Sequence, residues 1–389
     1  MKIPSAGTPI GVKDLLRAFS AGLKTQDPRK DMEEALKSIL KVKHSFLVNS
    51  GTTAFYLILK ALLKTQDSRL KTPKTEIILP AYTAPSLVLP IKKLGLSYRL
   101  VDVSLETFNM DEEAMIRSLR PETLAVLPVH LFGLPSPIER LIALRDGMEF
   151  YIIEDSASSF GTKHMNGSHS GTRGDVGFFS FNRGKNISTV RGGAIITDDD
   201  NLSIELKREV DALPEPDFKR RIRIYLEGIG LSLAVRPWFY TIFYPLVSRF
   251  KKTSLHSDFE SYRYTSFQSA LGISLFERAE QIFETREDKG HYLYDALKGI
   301  KGVTVPSIPD GWRVVFNQFP IIVDDPLKRD TLIERIFEEG IEATTLYDEP
   351  IHRTYKDDFL ETRDKSQESS IIENSLLVAH HSSLKIGSD

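Results

Sequence analysis

Apolar positions along this chain switch between two periods. Short, nearly continuous apolar or β-branched runs at 76–79, 97–101, 124–129, 150–153, 178–181 and 193–197 read as strands. Between them, apolar residues recur three and four apart at 52–64, 86–94, 111–119 and 138–145, which predicts helices. This alternation argues for an α/β fold with a mostly parallel, doubly wound sheet. Ahead of it, DLLRAFSAGL and DMEEALKSILKV read as amphipathic helices joined by a turn at 25–29. After a charged helix at 202–210, the pattern gives one long helix from 264 to about 287, strands at 299–305 and in WRVVFNQFPIIVDD, and a helix at 326–339 that ends at Gly340, a usual C-cap. The expected division is therefore a large domain over 1–250, with an apolar insertion at about 201–260, and a smaller C-terminal α+β domain over 261–389.

Three places interrupt the pattern with residues suited to chemistry. In FFSFNRGKNISTVRGGAII, at 178–196, two strand-like runs flank a loop that carries Lys185. An amine carried into an apolar interior loses its charge more readily and becomes a nucleophile toward an aldehyde. In FYIIED, at 150–155, a strand ends on two carboxylates, at the edge where open α/β sheets bind ligands. Asp155 is the candidate for holding a proton on a heterocyclic nitrogen; capping a following helix explains it equally well. The run Phe46, Leu47 and Val48 breaks at Asn49, and Ser50, Gly51, Thr52 and Thr53 then open a helix. Free N–H groups there attract phosphate, although plain N-capping accounts for Ser and Thr at such a place too.

Composition narrows the picture. The chain has 389 residues, 41% hydrophobic and 27% charged, which suits a globular protein of two domains. A net charge of −2 gives no general attraction to nucleic acid, and the absence of cysteine excludes disulfides and thiolate chemistry. No apolar secretory core stands in MKIPSAGTPIGVKDLL, so the expected compartment is the cytoplasm. His130 follows a strand with no second histidine at ligand spacing, and reads as a structural hydrogen-bonder. His164 and His169 read the same way; nothing fixes where His380 and His381 point, and no metal is expected.

NSGTTA at 49–54, LPAYTAPS at 79–86, VDV at 101–103, VLPVHLFG at 126–133, IIEDSASSFG at 152–161, GDVGFFSFNRGK at 174–185 and RGGAIITDD at 191–199 follow the order found in the DegT-type sugar aminotransferases. The chain resembles that family again at 263–280 and 340–355, so the likeness covers nearly all of it. The resemblance implies the pyridoxal-phosphate-dependent transferase fold of aspartate aminotransferase, and a homodimer with shared active sites. It implies pyridoxal 5'-phosphate as cofactor, Lys185 as the Schiff-base lysine and Asp155 as partner of the pyridine nitrogen. Gly51, Thr52 and Ser180 fall at phosphate-contact positions, with Thr53 beside them. Ser158 stands where the family has Gln or His near the phenolic oxygen.

Two departures accompany the likeness. Ala84 occupies the place of the family's stacking ring, leaving Tyr82 as its substitute. Ser261 replaces an Asn that the family brings from the partner subunit, which leaves phosphate to Arg263 or another basic group. The activity implied is ping-pong transamination from an amino acid, glutamate by resemblance, to a nucleotide-linked keto-sugar for surface polysaccharide or glycan. Related dehydratases carry His in place of the lysine, and Lys185 argues against that chemistry. A catalytically silent dimer with a regulatory or scaffolding role is the alternative, prompted by Ala84, Ser158 and Ser261.

One stretch remains outside this scheme. Lys219, Arg220, Arg221 and Arg223 precede LSLAVRPWFYTIFYPLV, and Arg249, Lys251 and Lys252 follow it. Arg236, Pro237 and Pro245 interrupt it too often for a membrane span. It is either an aromatic-rich insertion packed in the dimer or, over 230–252, an interfacial segment with basic flanks. Packing is the preferred reading, because a core explains apolar runs more often than a membrane does.

Overall fold

The computed structural model describes residues 7–21, 27–65, 73–247, 257–347, 349–356 and 376–379. Seven strands form the main sheet: β1 (His44–Val48), β2 (Glu76–Pro80), β3 (Ser97–Val101), β4 (Thr123–Val126), β5 (Tyr151–Asp155), β6 (Val176–Ser180) and β7 (Gly193–Thr197). Their order is β1-β7-β6-β5-β4-β2-β3. Neighbours from β3 to β6 run parallel, whereas β7 is antiparallel to both β6 and β1. Because β7 reverses, the β6–β7 connection stays at the carboxyl edge of the parallel strands. That connection carries Lys185.

The sheet is buried on both faces, so its strands read as apolar runs rather than alternating ones. Phe178 packs into the core on one side, against Phe55 at 5.7 Å between ring centroids. Phe179 and Phe181 turn to the other side, where Phe160 meets them at 5.2 and 6.0 Å. Helix Gly51–Thr65 is buried almost all round, against β6, β7 and helix Asp200–Asp211. Its start is therefore fixed by core packing.

A second sheet holds β8 (Val303–Thr304), β9 (Phe319–Val323), β10 (Ala343–Thr344) and β11 (Leu376–Ala379), in the order β10-β11-β9-β8 with antiparallel pairs. Its Phe319 and Ile321, with Phe316 just ahead of β9, join the same core as Phe55 and Phe178. Helix Ser266–Phe276 packs on helices Val12–Ala21 and Pro28–Leu40.

The long helix expected from 264 is instead two, Ser266–Phe276 and Ala279–Leu297. Arg278 between them has φ −127° and its guanidinium reaches the Pro9 carbonyl and Asp14 Oδ2. Neither Gly nor Pro marks the break; contacts with the amino-terminal segment hold it. The basic and apolar stretch that the pattern left unassigned forms helices Phe218–Ala234 and Pro237–Val247. Among the described residues no helix is long and apolar enough to cross a membrane.

Candidate active site

The carboxyl edge of the sheet gathers most of the candidate residues. Asp155 ends β5, and its backbone is held on both sides: its N–H donates to the Pro128 carbonyl and its carbonyl accepts from His130 N–H, both at 2.9 Å. Its carboxylate is buried and accepts from Ala157 N–H at 2.9 Å. No helix follows, so the capping reading of Asp155 falls away. Burial pushes the Asp155 carboxyl above the ordinary carboxylate range, against the pull of the Ala157 N–H, Lys185 and His130. The second carboxylate oxygen has no hydrogen-bond partner among the described residues.

Lys185 Nζ donates to Ser158 Oγ at 2.9 Å. The side chain as a whole is half-buried, but its amine end is enclosed, and this desolvation lowers its pKa while the Asp155 charge opposes the shift. The loop around it is tightly tied. Thr189 N–H donates to the Phe181 carbonyl at 3.0 Å, and Asn186 Nδ2 donates to the Phe160 carbonyl at 2.9 Å. Val190, β-branched and buried, sits at φ 76°, a left-handed conformation that costs such a residue on the order of 1–3 kcal/mol.

Thr8 is a contributor that the sequence did not signal. Its hydroxyl reaches the carbonyls of Lys185 at 3.0 Å and Asn186 at 3.3 Å from 177 and 178 positions away. Thr8 is fully buried, so nothing else competes for that hydroxyl. Thr8→Val is expected to lower kcat by about two- to tenfold with KM unchanged, the worth of one ordinary hydrogen bond. A variant with unaltered kcat would show that the clamp does not position the lysine.

Helix Gly51–Thr65 begins against the end of β6. A Cβ on Gly51 would lie 3.3 Å from Ser180 Cβ and 3.8 Å from Phe178, so a side chain there would fill the space beside the Ser180 hydroxyl. Gly193, paired with Ser180 across β6 and β7, allows the approach: a Cβ on it would sit 2.6 Å from the Ser50 carbonyl. Gly51 and Thr52 open the helix, where N–H groups lack carbonyls within the helix. Thr53 differs from its neighbours. It is fully buried, its N–H is capped by Ser50 Oγ at 3.0 Å, and its hydroxyl meets Ser50, the Glu260 carbonyl and Ser261 at 3.1, 3.4 and 3.3 Å. Arg263 is turned to the carbonyl and carboxylate of Asp211.

Tyr82 is buried, and its hydroxyl accepts from Tyr347 N–H at 3.3 Å; the two rings meet edge-on at 5.4 Å. Burial raises the Tyr347 hydroxyl pKa, and the Tyr82 and Asp155 charges add to it. Its only sequence signal was its position inside the 340–355 likeness. His130 stands behind Asp155. Its Nδ1 accepts from Ser136 N–H at 2.9 Å, so Nε2 carries the proton toward Glu154 at 2.8 Å. Glu154 also accepts from the N–H groups of Gly171, Arg173 and Gly174. Burial works to raise its pKa, and these partners outweigh it.

His164 rests edge-on against Trp312 at 4.8 Å, and His169 is buried, with its pKa pulled down to about 4 by desolvation. His380 and His381 lie outside the described residues. Among the described residues no cluster of three or more His, Asp or Glu is arranged to hold a metal.

A desolvated amine, a buried carboxylate with an unpartnered oxygen and an open helix start at one edge fit an aldehyde-bearing, phosphorylated pyridine. Comparison with known proteins agrees with this. The model of the DegT/DnrJ/EryC1/StrS aminotransferase family matches residues 13–386. GDP-perosamine synthase of Caulobacter vibrioides is 28% identical over 325 residues, 83% of this chain and 76% of that protein. The structure of DesV from S. venezuelae superposes with a TM-score of 0.76 at 20% identity, covering 99% of this chain and 95% of that one. E. coli GDP-4-keto-6-deoxy-D-mannose-3-dehydratase, solved with bound hydrated PLP, gives a TM-score of 0.74 at 21% identity over 98% and 96% of the two chains.

Proposed function

Since the chain belongs to the DegT/DnrJ/EryC1/StrS aminotransferase family, we propose that it uses pyridoxal 5'-phosphate to move an amino group from an amino acid, glutamate in our reading, to a nucleotide-linked keto-sugar. The observation that carries this is a Lys185 amine and an Asp155 carboxylate that are both desolvated and feel one another's charge at the carboxyl edge of the sheet.

When bound, the cofactor supplies an electron sink for the charge left at the amino acid's α-carbon as its proton departs. Lys185 would hold the cofactor and then move that proton, since burial makes its amine give up its charge more readily than an exposed lysine does. Ser158 Oγ, accepting from Nζ, aims the amine. Asp155, through its unpartnered oxygen, would keep the ring nitrogen protonated. Gly51, Thr52 and Ser180 would receive the phosphate at the helix start. Thr53 supports that turn from behind, through the Ser50 cap. Tyr82 and Tyr347 close the site near Asp155, and Tyr347 comes from the 261–389 unit that we take as the smaller domain.

The same reading has the protein acting as a homodimer in the cytoplasm, in the assembly of surface polysaccharide. Lys185 disfavours the dehydratase chemistry of the E. coli relative, in whose type of enzyme the resemblance puts His. The test is a half-reaction. Mixing the yellow holoenzyme with L-glutamate should replace the visible absorbance band with a near-ultraviolet one. An unchanged band with every amino acid tried would favour the silent dimer instead.

A further inference from the structure

Arg286 stands where the packing asks for an apolar residue. On helix Ala279–Leu297 the buried positions are Ala279, Ile282, Phe283, Arg286 and Gly290, which share one face. Phe283 meets the Phe160 ring edge-on at 5.4 Å, and a Cβ on Gly290 would lie 2.1 Å from the Phe316 ring, so this face is pressed into the interior on either side of the arginine. Arg286 is 2% exposed, and among the described residues no carboxylate pairs with it. Burial lowers its pKa to about 10, which leaves it charged at neutral pH. A charge enclosed without a counter-charge is costly, and here main-chain oxygen offsets the cost. Arg286 Nη1 donates to the carbonyls of Phe316 at 3.3 Å and Asn317 at 2.9 Å, and Nη2 donates to that of Gly7 at 3.2 Å.

Those carbonyls lead to the loop of Lys185 from two directions. Thr8, next to Gly7, reaches the carbonyls of Lys185 and Asn186 through its hydroxyl. Val315, next to Phe316, accepts from Asn186 Nδ2 at 3.4 Å. The guanidinium therefore closes a ring of bonds through Gly7, Thr8, Asn186, Val315 and Phe316. The amino-terminal segment is pinned further along as well, by Arg278 at the Pro9 carbonyl and by Ser232 Oγ at the Ile10 carbonyl, 2.9 Å away. Arg286 grips it on the other side of Thr8.

We propose that Arg286 is a positioning residue for Lys185, holding Gly7 so that the Thr8 hydroxyl is aimed at the carbonyls of the lysine loop. This rests on the reading of Lys185 as the amine that holds the cofactor. The effect runs through main-chain geometry and not through the arginine's field, since the charge acting on Lys185 is that of Asp155. A planar fork that spans carbonyls from two segments fixes their separation, which a single ammonium on a flexible stem does not.

Arg286→Lys keeps the charge and loses the fork. In the cofactor-free full-length protein, hydrogen–deuterium exchange should speed about tenfold at the amides of Lys185 and Thr189, and stay as in wild type along β5. Those two amides donate to the carbonyls of Asn182 and Phe181 within the loop. In the holoenzyme, kcat for transamination should fall about three- to tenfold with KM unchanged. On a Thr8→Val background the same substitution should change either readout by less than about twofold, because the route through Thr8 is already cut. A general loosening would multiply the two effects instead. Where Arg286→Lys does not accumulate as folded protein, Arg286→Gln, which buries no charge, is expected to give the same results. Unaltered exchange at residues 185 and 189 in a folded variant overturns the proposal, and so does an equal fall in kcat with and without Thr8. Exchange is read without cofactor or substrate, so a failed half-reaction with glutamate would overturn the transaminase reading and leave this proposal to be decided by its own measurement.

Discussion

Lys185→Ala is expected to purify without the visible absorbance band and to lose transamination by about 10²–10⁴-fold or more, the range carried by a positioned proton-transfer group. Three properties of the site converge on this amine. It is the cation enclosed at the carboxyl edge beside Asp155, its pKa is lowered by desolvation, and Ser158 fixes its direction. Borohydride should fix the cofactor to the wild-type chain at residue 185 and leave the variant unlabelled, as peptide mass mapping would report. Full activity in Lys185→Ala, or labelling at another lysine, would refute the assignment. Thermal stability offers a control: removing an amine that is costly to bury should not unfold the protein, so circular dichroism of the variant should match wild type.

Asp155→Asn should separate stability from activity. The buried carboxyl is harder to ionise in the folded protein than in the unfolded chain, so the folded state binds its proton more tightly. Stability of the cofactor-free protein therefore falls as pH rises from the ordinary carboxylate range through the raised value. Asn keeps the acceptor for Ala157 N–H and removes that loss. The cofactor-free variant should melt about 2 °C higher than wild type at neutral pH, with the difference vanishing below about pH 4. Activity should move the other way. Without the carboxylate a protonated ring nitrogen loses a charge-assisted bond worth about 1.5–3 kcal/mol, roughly ten- to hundredfold in kcat/KM. Equal activity of the variant and wild type would show that Asp155 meets no cation in the working enzyme. Melting curves at several pH values, with and without cofactor, read both effects on one sample.

Much of the site could be read from the chain because its parts lie at breaks in local periodicity. A strand that stops at Asp155, a loop between two apolar strands at Lys185 and a helix that opens at Gly51 are each set by ten or so consecutive residues. Thr53 shows the limit of such a reading. It shares that helix start with Gly51 and Thr52, yet a one-residue step turns a helical side chain by roughly 100°, and here it turns into the core. Tyr347 and Thr8 show another limit, since each reaches the site from a distant part of the chain and carries no mark of its own in the local pattern.

The sequence by itself determined most of the order of strands and helices, the candidate amine and carboxylate, and the sheet edge on which both lie. Periodicity states which face of an element is apolar, and that is enough to build a sheet. Only the tertiary structure decided which apolar faces acquire a neighbour: the helix expected to run unbroken from 264 is parted by Arg278, and Phe218 and Leu226 of helix Phe218–Ala234 are left exposed. It also decided how far Lys185 and Asp155 are desolvated, because a pKa depends on everything that closes over a group, and the residues that do so here come from all along the chain.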